Sequence, residues 1–550
     1  MNSIDFIQKT FTEHIKILFP ITEITDEQSR LHINVDEAKQ MFGNLSTSCA
    51  LVLAKTLKRA PREVAMEIAT SYTHSLVEKI EVAGPGFINM YLTNDAFKLL
   101  AKELFEQRAA FFKPDQLDKK YNVSLEFVSA NPTGPLHFGH GRGGIIGDVL
   151  GNVLKFVGHD VTKEFYINDA GNQIQKLGES FKIRCLNAAG ITASIDQDGY
   201  HGEYLIELAN DCFAQYGQEI FDKPDSFFAE YAKENLLQAL QNTLKDYGIE
   251  YDVWFSEKTL HESNAIEKAL EVLQERNLLF EYDGALWFKT TQFGDDKDRV
   301  VKKSTGEYTY IAADVAYLKN KIDRGFNNLI FTLGHDHHSY AVRLNAVKDG
   351  LGYTLCPLAV ILYQLVKISE DGQAVRMSKR AGAIVSLQDI INTVGKDVAR
   401  FFYLHRKADA QLEFDLGLAL KKTEENPVYY VQYAYVRTGS IIEKAAKEAH
   451  LNDICADDAH YIGPEEYFLL KKIVFLEQLL IDISVNHQTH LLTYYVIELA
   501  QLFHRYYSHV RVLDPSSREK SRGRLLMITV LRNSIALVLD LLGVSHPEKM

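Results

Sequence analysis

Ser129 to Gly144 reads S-A-N-P-T-G-P-L-H-F-G-H-G-R-G-G, with two histidines and a run of glycines packed where an apolar strand gives way to a helical pattern. Backbone N–H groups and the positive end of a helix dipole at such a place receive phosphate. His137 and His140 can donate hydrogen bonds to phosphate oxygens, and Gly139 lets a base or ribose approach the main chain. The same stretch has a second reading. Gly139, Gly141 and Gly144 satisfy G-x-G-x-x-G, with Glu164 about twenty residues on, as a dinucleotide site requires. That fingerprint needs its first glycine in the tight turn after the strand. Here a Pro/Gly loop intervenes, and Asn131 and both histidines go unexplained. Far downstream, Val375 to Gly382 (V-R-M-S-K-R-A-G) is a basic loop after a strand. Cations on such a loop can close over a triphosphate and stabilise charge as pyrophosphate leaves.

Two further clusters carry chemistry. Asp314 lies four residues after Tyr310 at a helix start, so the two share a face. Gly334-His335-Asp336-His337-His338 has the residues of a metal or phosphohydrolase site. Adjacent residues rarely ligate one ion together, and no partner set stands at helical spacing, so no metal site is expected.

The elements that must position these residues fall into three parts. From Ile4 to about Arg108, the helical spacing of Ile4, Ile7, Phe11, Ile15 and Leu18 precedes two short strands around Gly84-Pro85-Gly86, which predicts an α+β module. Val123 to Val128 is a continuous apolar strand. A helix carrying Ile145, Ile146, Val149, Leu150, Val153 and Leu154 follows, then a strand near Val161 to Tyr166: a βαβ unit, the seed of a parallel sheet. Alternation resumes at Tyr308 to Leu318, Asn328 to Leu333 and Ala359 to Ile368. Between them residues 171–299 read as a helix-rich insertion or long crossover. After Glu425 only long amphipathic helices remain, at Val428 to Ala445, Phe468 to Ile483, Leu491 to Tyr507 and Arg522 to Leu542. The expected fold is therefore α/β, a split Rossmann-type parallel sheet over 113–425, with an N-terminal α+β domain over 1–112 and an all-α bundle over 426–550.

In combination the motifs become recognisable. The chain resembles the class I aminoacyl-tRNA synthetases, whose H-I-G-H and K-M-S-K-S signatures are seen as His137-Phe138-Gly139-His140 and Arg376-Met377-Ser378-Lys379-Arg380. More narrowly it resembles the arginyl-tRNA synthetases, through Ala130-Asn131-Pro132-Thr133-Gly134-Pro135-Leu136-His137, Tyr310 to Asp314, Gly334 to His338 and Asn426 to Ala434. The likeness runs over nearly the whole chain. It implies activation of L-arginine with ATP and Mg²⁺, and transfer to the 2′-OH of the terminal adenosine of tRNA(Arg), with bound tRNA needed even for adenylate formation. The resemblance implies that His137, His140 and Lys379 neutralise phosphate charge, that Gly139, Gly334, Asp336, Met377 and Ser378 line the ATP site, and that Glu126, Asn131, Tyr310, Asp314 and His338 hold the arginine. Two departures stand out: Arg376 replaces the first lysine of the loop signature and Arg380 its last serine; Arg376 keeps the charge as a fork rather than a point donor. A guanidinium has five N–H donors, so its pocket needs carboxylates placed for a bidentate grip, and lysine or uncharged analogues leave them unpaired. Two other readings are an inactive RNA-binding relative and a class I enzyme for another amino acid. A cysteine-specific enzyme would favour zinc-binding cysteines, which are lacking.

Composition sets the outer bounds. The chain has 550 residues, 46% hydrophobic, with only 12 prolines, which is multidomain globular composition. The five cysteines are scattered and never spaced C-x-x-C. No apolar segment of signal or membrane-spanning type interrupts the pattern, so a soluble, cytoplasmic protein is expected, and the family suggests a monomer. A formal charge of -13 excludes indiscriminate coating of a polyanion. Arg505 to Arg532 nonetheless holds seven arginines and lysines against Asp514 and Glu519, beside Tyr506 and Tyr507. This makes Arg505, Arg511 and Arg524 candidate tRNA contacts and the two tyrosines candidate base-stackers.

Overall fold

The structure, a computed structural model, describes residues 2–20, 25, 28–115, 117, 119–370, 373–374 and 386–550. Ile4, Ile7, Phe11 and Ile15 are buried along one side of the helix Ser3–Leu18, whose first turn is capped by the Asn2 side chain. That helix belongs to a module with an antiparallel sheet of spatial order His32–Ile33, Leu45–Thr47, Phe87–Leu92, Val77–Ala83. The expected hairpin is there, closing at Ala83 opposite Phe87, with Gly84 at φ +52°.

The central sheet is parallel and five-stranded. Its strands are β1 (Asn122–Phe127), β2 (Asp160–Ile167), β3 (Val253–Ser256), β4 (Asn328–Gly334) and β5 (Leu358–Tyr363), in spatial order 5-4-1-2-3. Val123, Leu125, Phe127, Leu329, Ile330 and Phe331 are all buried, as a sheet covered on both faces requires. Helix α1 (Phe138–Val157) buries the six apolar residues expected of it. Glycines let it lie close to the strands: a Cβ on Gly147 would sit 2.3 Å from the Phe127 ring. Helices α2 (Tyr310–Asp323) and α3 (His338–Gly350) flank β4.

Two stretches differ from expectation. Residues 171–299 are not wholly outside the sheet, because β3 returns from them to form its edge. Before β3 come the helices Asn172–Ala188, Glu203–Tyr216 and Asp225–Asp246, and after it a small antiparallel sheet of Leu279–Tyr282, Ala285–Phe288 and Arg299–Lys302. A four-residue edge strand has too few residues for a period-two signal. Ala359 to Ile368 contains two strands of different sheets, β5 and Val366–Glu370, the latter parallel to Leu412–Asp415.

The C-terminal part consists of α4 (Pro427–Glu448), α5 (Pro464–Asn486), α6 (His490–His509) and α7 (Arg518–Leu542). An 18-residue window of α7 is apolar enough to cross a membrane, but 67% of it is buried, and α7 is the core helix of the bundle. The N-terminal module docks on this bundle. Phe97 stacks on Tyr467 with centroids 4.1 Å apart. Lys102 pairs with Asp457 at 2.7 Å, Arg30 with Asp482 at 3.0 Å, and the Asn2 amide donates to Glu477 at 2.7 Å.

Candidate active site

Strand order puts the carboxyl ends of β1 and β4 side by side at the point where the connections reverse direction, which is where open α/β sheets bind ligands. The chain leaves β1 through a strained turn. Val128 and Ser129 have φ of +68° and +42°, a left-handed conformation that costs a β-branched residue on the order of 1–3 kcal/mol. Ser129 Oγ holds the turn, donating to Glu126 Oε1 at 3.1 Å and accepting the Tyr166 N–H at 3.1 Å. In the loop that follows, Asn131 and Pro135 are exposed, Ala130, Thr133 and Gly134 are half-buried, and Pro132 and Leu136 are buried.

His137 caps α1. Its Nδ1 accepts the Gly139 N–H at 3.1 Å, while its own N–H donates to His140 Nδ1 at 3.1 Å. Both Nδ1 atoms are thus acceptors, so the ring proton of each histidine sits on Nε2, ready to donate. Burial, then the neighbouring His137, brings the His140 imidazole down to about 4, and burial also lowers His137. Burial thus disfavours the charged form of both rings and leaves each with an Nε2–H to donate. A Cβ on Gly139 would stand 3.2 Å from His137 Nδ1 and crowd that cap. Gly141 and Gly144 are packing glycines, against Leu387 and Tyr403 and against Val128 and Ile249. Glu164 is fully buried and bound to Lys321 at 2.7 Å and Arg324 at 2.6 Å, so no acid remains for a ribose and the dinucleotide reading fails.

A second set of side chains builds an acidic cluster. Glu126 accepts from Tyr317 at 2.7 Å and lies 3.2 Å from Lys321 Nζ. Although burial opposes ionisation, Lys321, Arg324 and Tyr317 hold Glu164 at about 2. These two glutamates, on adjacent strands, are therefore matched by built-in cations. Among the described residues no lysine or arginine pairs with Asp314 or Glu257; Glu257 has His261 Nε2 at 3.7 Å. In the first turns of α2, Asp314 accepts a 2.5 Å bond from Tyr340 Oη of α3. Burial pushes it up to about 7, opposed by the Tyr340 bond and by Arg343 and reinforced by Glu257 and Glu126. Glu257, just after β3, is 6% exposed and also raised by burial. Carboxylate in excess of its lysine and arginine partners, buried at Glu257 and half-buried at Asp314, is what a planar cation needs. Tyr310, one turn before Asp314, is 71% exposed. Gly334 ends β4; Asp336 and His338 are exposed on the turn into α3.

Arg376, Met377, Ser378, Lys379 and Arg380 lie outside the described residues. Directly after that segment, Ser386 is bridged to His137, and the Leu387 N–H donates to Leu136 O at 2.7 Å. Arg142, fully buried two residues past His140, donates to the carbonyls of Gln364, Lys407 and Ala410 at 2.7 to 2.9 Å. It ties α1 to the segments that lead into the paired strands Val366–Glu370 and Leu412–Asp415.

The C-terminal candidates are only partly free. Arg511 is exposed, and Arg505 is exposed but paired with Glu37. Arg524 is corrected: it is 11% exposed, held by Glu466 and Asp514 at 3.5 Å, and not free for RNA. Tyr506 is likewise core, 8% exposed and donating to Glu466 at 2.8 Å. Sequence reasoning missed another group. Arg437 lies over the rings of Tyr433 at 4.5 Å and Tyr507 at 5.5 Å, and His504 stacks on Tyr433 at 5.9 Å, with Tyr430 against His504. The signal was the spacing of Tyr430, Tyr433 and Arg437, three and four residues apart on one helix face.

Residues 103–402 match the family described as tRNA synthetases class I (R), catalytic domain. Residues 431–550 match the DALR anticodon binding domain and residues 5–92 the arginyl tRNA synthetase N terminal domain. Arginine–tRNA ligase from Bacillus subtilis is 39% identical over 557 residues, covering 100% of both chains. The one from Caldanaerobacter subterraneus is 42% identical over 530 residues, 94% of each. In fold the chain is like arginyl-tRNA synthetase of Thermus thermophilus, with TM-score 0.76 and 20% identity over all of both chains. The nucleotide-binding sheet with its H-x-G-H helix is thus that of the class I aminoacyl-tRNA synthetases, enzymes that use ATP to activate an amino acid. Within that class the chain belongs to the arginyl-tRNA synthetase family.

Proposed function

We propose that the acidic cluster around Asp314 and Glu257 receives the guanidinium, and that the H-F-G-H helix start receives ATP, in the family's reaction of joining L-arginine to tRNA(Arg). The carboxylate surplus at Asp314 and Glu257 carries this reading. Asp314 grips the guanidinium with Glu257 opposite and Tyr310 covering it. Asn131 and Glu126, on the β1 exit, orient the rest of the amino acid, and His338 closes the far side. ATP enters as its Mg²⁺ complex along Gly139, Gly334, Asp336, Met377 and Ser378.

The arginine carboxylate oxygen attacks the α-phosphorus, and the bond to the α,β-bridging oxygen breaks to release pyrophosphate. His137 and His140 donate Nε2–H bonds to phosphate oxygens, and Lys379 supplies the cation where charge develops. The terminal 2′-OH of the tRNA then attacks the adenylate carbonyl carbon, and AMP leaves with the electron pair. Positioning and electrostatics carry the catalysis, with no covalent enzyme nucleophile. On the bundle, the Tyr430, Tyr433, Arg437, His504 and Tyr507 face, with Arg511 and Arg505 at its margin, binds unpaired tRNA bases by stacking. The work divides among a tRNA-contacting domain over 1–112, the catalytic domain over 113–425 and the anticodon-binding bundle over 426–550, in a cytoplasmic monomer. The test is aminoacylation of total tRNA with each of the twenty amino acids, and with Asp314→Asn. Arginine alone should be esterified, and the variant should lose that activity. Charging with another amino acid, or an active Asp314→Asn, contradicts the reading.

A further inference from the structure

The loop 130–136 has no regular structure of its own, yet it must present Asn131 and His137 at fixed places. Its far end is held by Leu387 and Ser386. Its middle is held by the three helices that come between β2 and β3. Those helices share a separate core, which includes Leu177, Phe181, Leu205, Ala209, Cys212 and Phe228. The second residue of two of them reaches the loop. Tyr204 Oη donates to the Thr133 carbonyl at 2.7 Å. Its ring lies so close to Gly134 that a Cβ there would be 3.1 Å from the hydroxyl. Gln173 Oε1 accepts from Asn131 Nδ2 at 2.8 Å, fixing which way that exposed amide points. Inside the loop the Thr133 N–H closes back on Asn131 O at 2.8 Å, so the two anchor points are coupled.

We propose that Tyr204 and Gln173 are positioning residues through which the three-helix unit holds the signature loop in its catalytic shape, Gln173 orienting Asn131 toward arginine and Tyr204 fixing the run into His137 toward ATP. This rests on the roles given above to Asn131 and His137. A merely structural anchor would join the helices to the sheet and cost stability when cut. A positioning role divides between kinetic parameters according to which end of the loop is released.

Tyr204→Phe keeps the ring and removes one hydroxyl. In full-length protein with tRNA present, ATP–pyrophosphate exchange should lose roughly 3–10-fold in kcat, the worth of one neutral hydrogen bond, with the KM for arginine unchanged. Gln173→Ala should raise the KM for arginine by roughly 3–10-fold with kcat retained, and should add nothing in an Asn131→Ala background. Thermal midpoints of both single variants should match the parent. Parent kinetics in Tyr204→Phe and Gln173→Ala, or losses that follow the thermal midpoint, overturn the proposal. Asn131→Ala with an unchanged arginine KM would instead remove the role given to Asn131, while the Tyr204→Phe turnover still decides whether the loop is held from this side.

Discussion

Arginine should bind in exchange for a proton. Burial pushes Asp314 up to about 7 from 3.8. A guanidinium placed against it favours the ionised form, so the pKa falls on binding. Well below pH 7 each bound arginine must displace a proton; well above it, none. The apparent dissociation constant scales with one plus the ratio of proton concentration to the acid constant, which is about 11 at pH 6 and about 1.1 at pH 8. Binding is then roughly tenfold weaker at pH 6, with about 0.9 proton released there and about 0.1 at pH 8. Glu257 is raised too, so the midpoint belongs to the pair. Titration calorimetry in two buffers of different ionisation heat, with tRNA present, measures both quantities. Affinity that stays flat between about pH 6 and 8.5 with no proton release would refute the reasoning, as would an unchanged slope in Asp314→Asn. Stability follows the same linkage with the opposite sense. The folded, arginine-free protein holds this proton more tightly than the unfolded chain, so the contribution is complete below 3.8 and lost as pH rises through about 7.

Other expectations are simpler to check. Lys379→Ala should lower steady-state turnover by about 10²–10³-fold with little change in the KM for tRNA; turnover like the parent's would remove it from the transition state. Tyr433→Ala and Arg437→Ala should each raise the KM for tRNA roughly 5–100-fold at unchanged kcat, whereas Arg524→Ala should act on the thermal midpoint. Replacing Lys321 with Met leaves Glu126 and Glu164 buried without their shared ammonium, and should lower unfolding free energy in urea by about 3–5 kcal/mol; a loss below about 1 kcal/mol would show that Arg324 alone suffices for Glu164.

The parts most legible in the sequence are those with a long period. β1, α1 and the four bundle helices show their burial as spacing, because each buries one continuous face or both. Glu257 was not legible, since it follows a short edge strand inside a helix-rich stretch. Tyr340 sits on a helix whose sequence has little apolar sidedness. Charge along the chain misled for Arg524 because its partner Glu466 is on another helix, and counting cations cannot reveal which are already matched. The glycine pattern after β1 was ambiguous for a similar reason: Gly141 and Gly144 are required by neighbours, Tyr403 and Ile249 among them, that lie far away in sequence.

The docking of the first module on the last helices also sets a timetable. Lys102 and Asp457 are 355 residues apart in the chain. At about 5–20 residues per second, roughly 20–70 s pass between synthesis of the one and of the other. A module that folds as it is made holds Phe97 and Leu100 uncovered through that interval, with Tyr467, Leu470 and Val474 not yet made. A nascent chain with a finished but uncovered apolar face is a client for chaperones and a site for premature association. Its release from that state comes only with the bundle, so truncations in α5 should be felt first as insolubility of the N-terminal module.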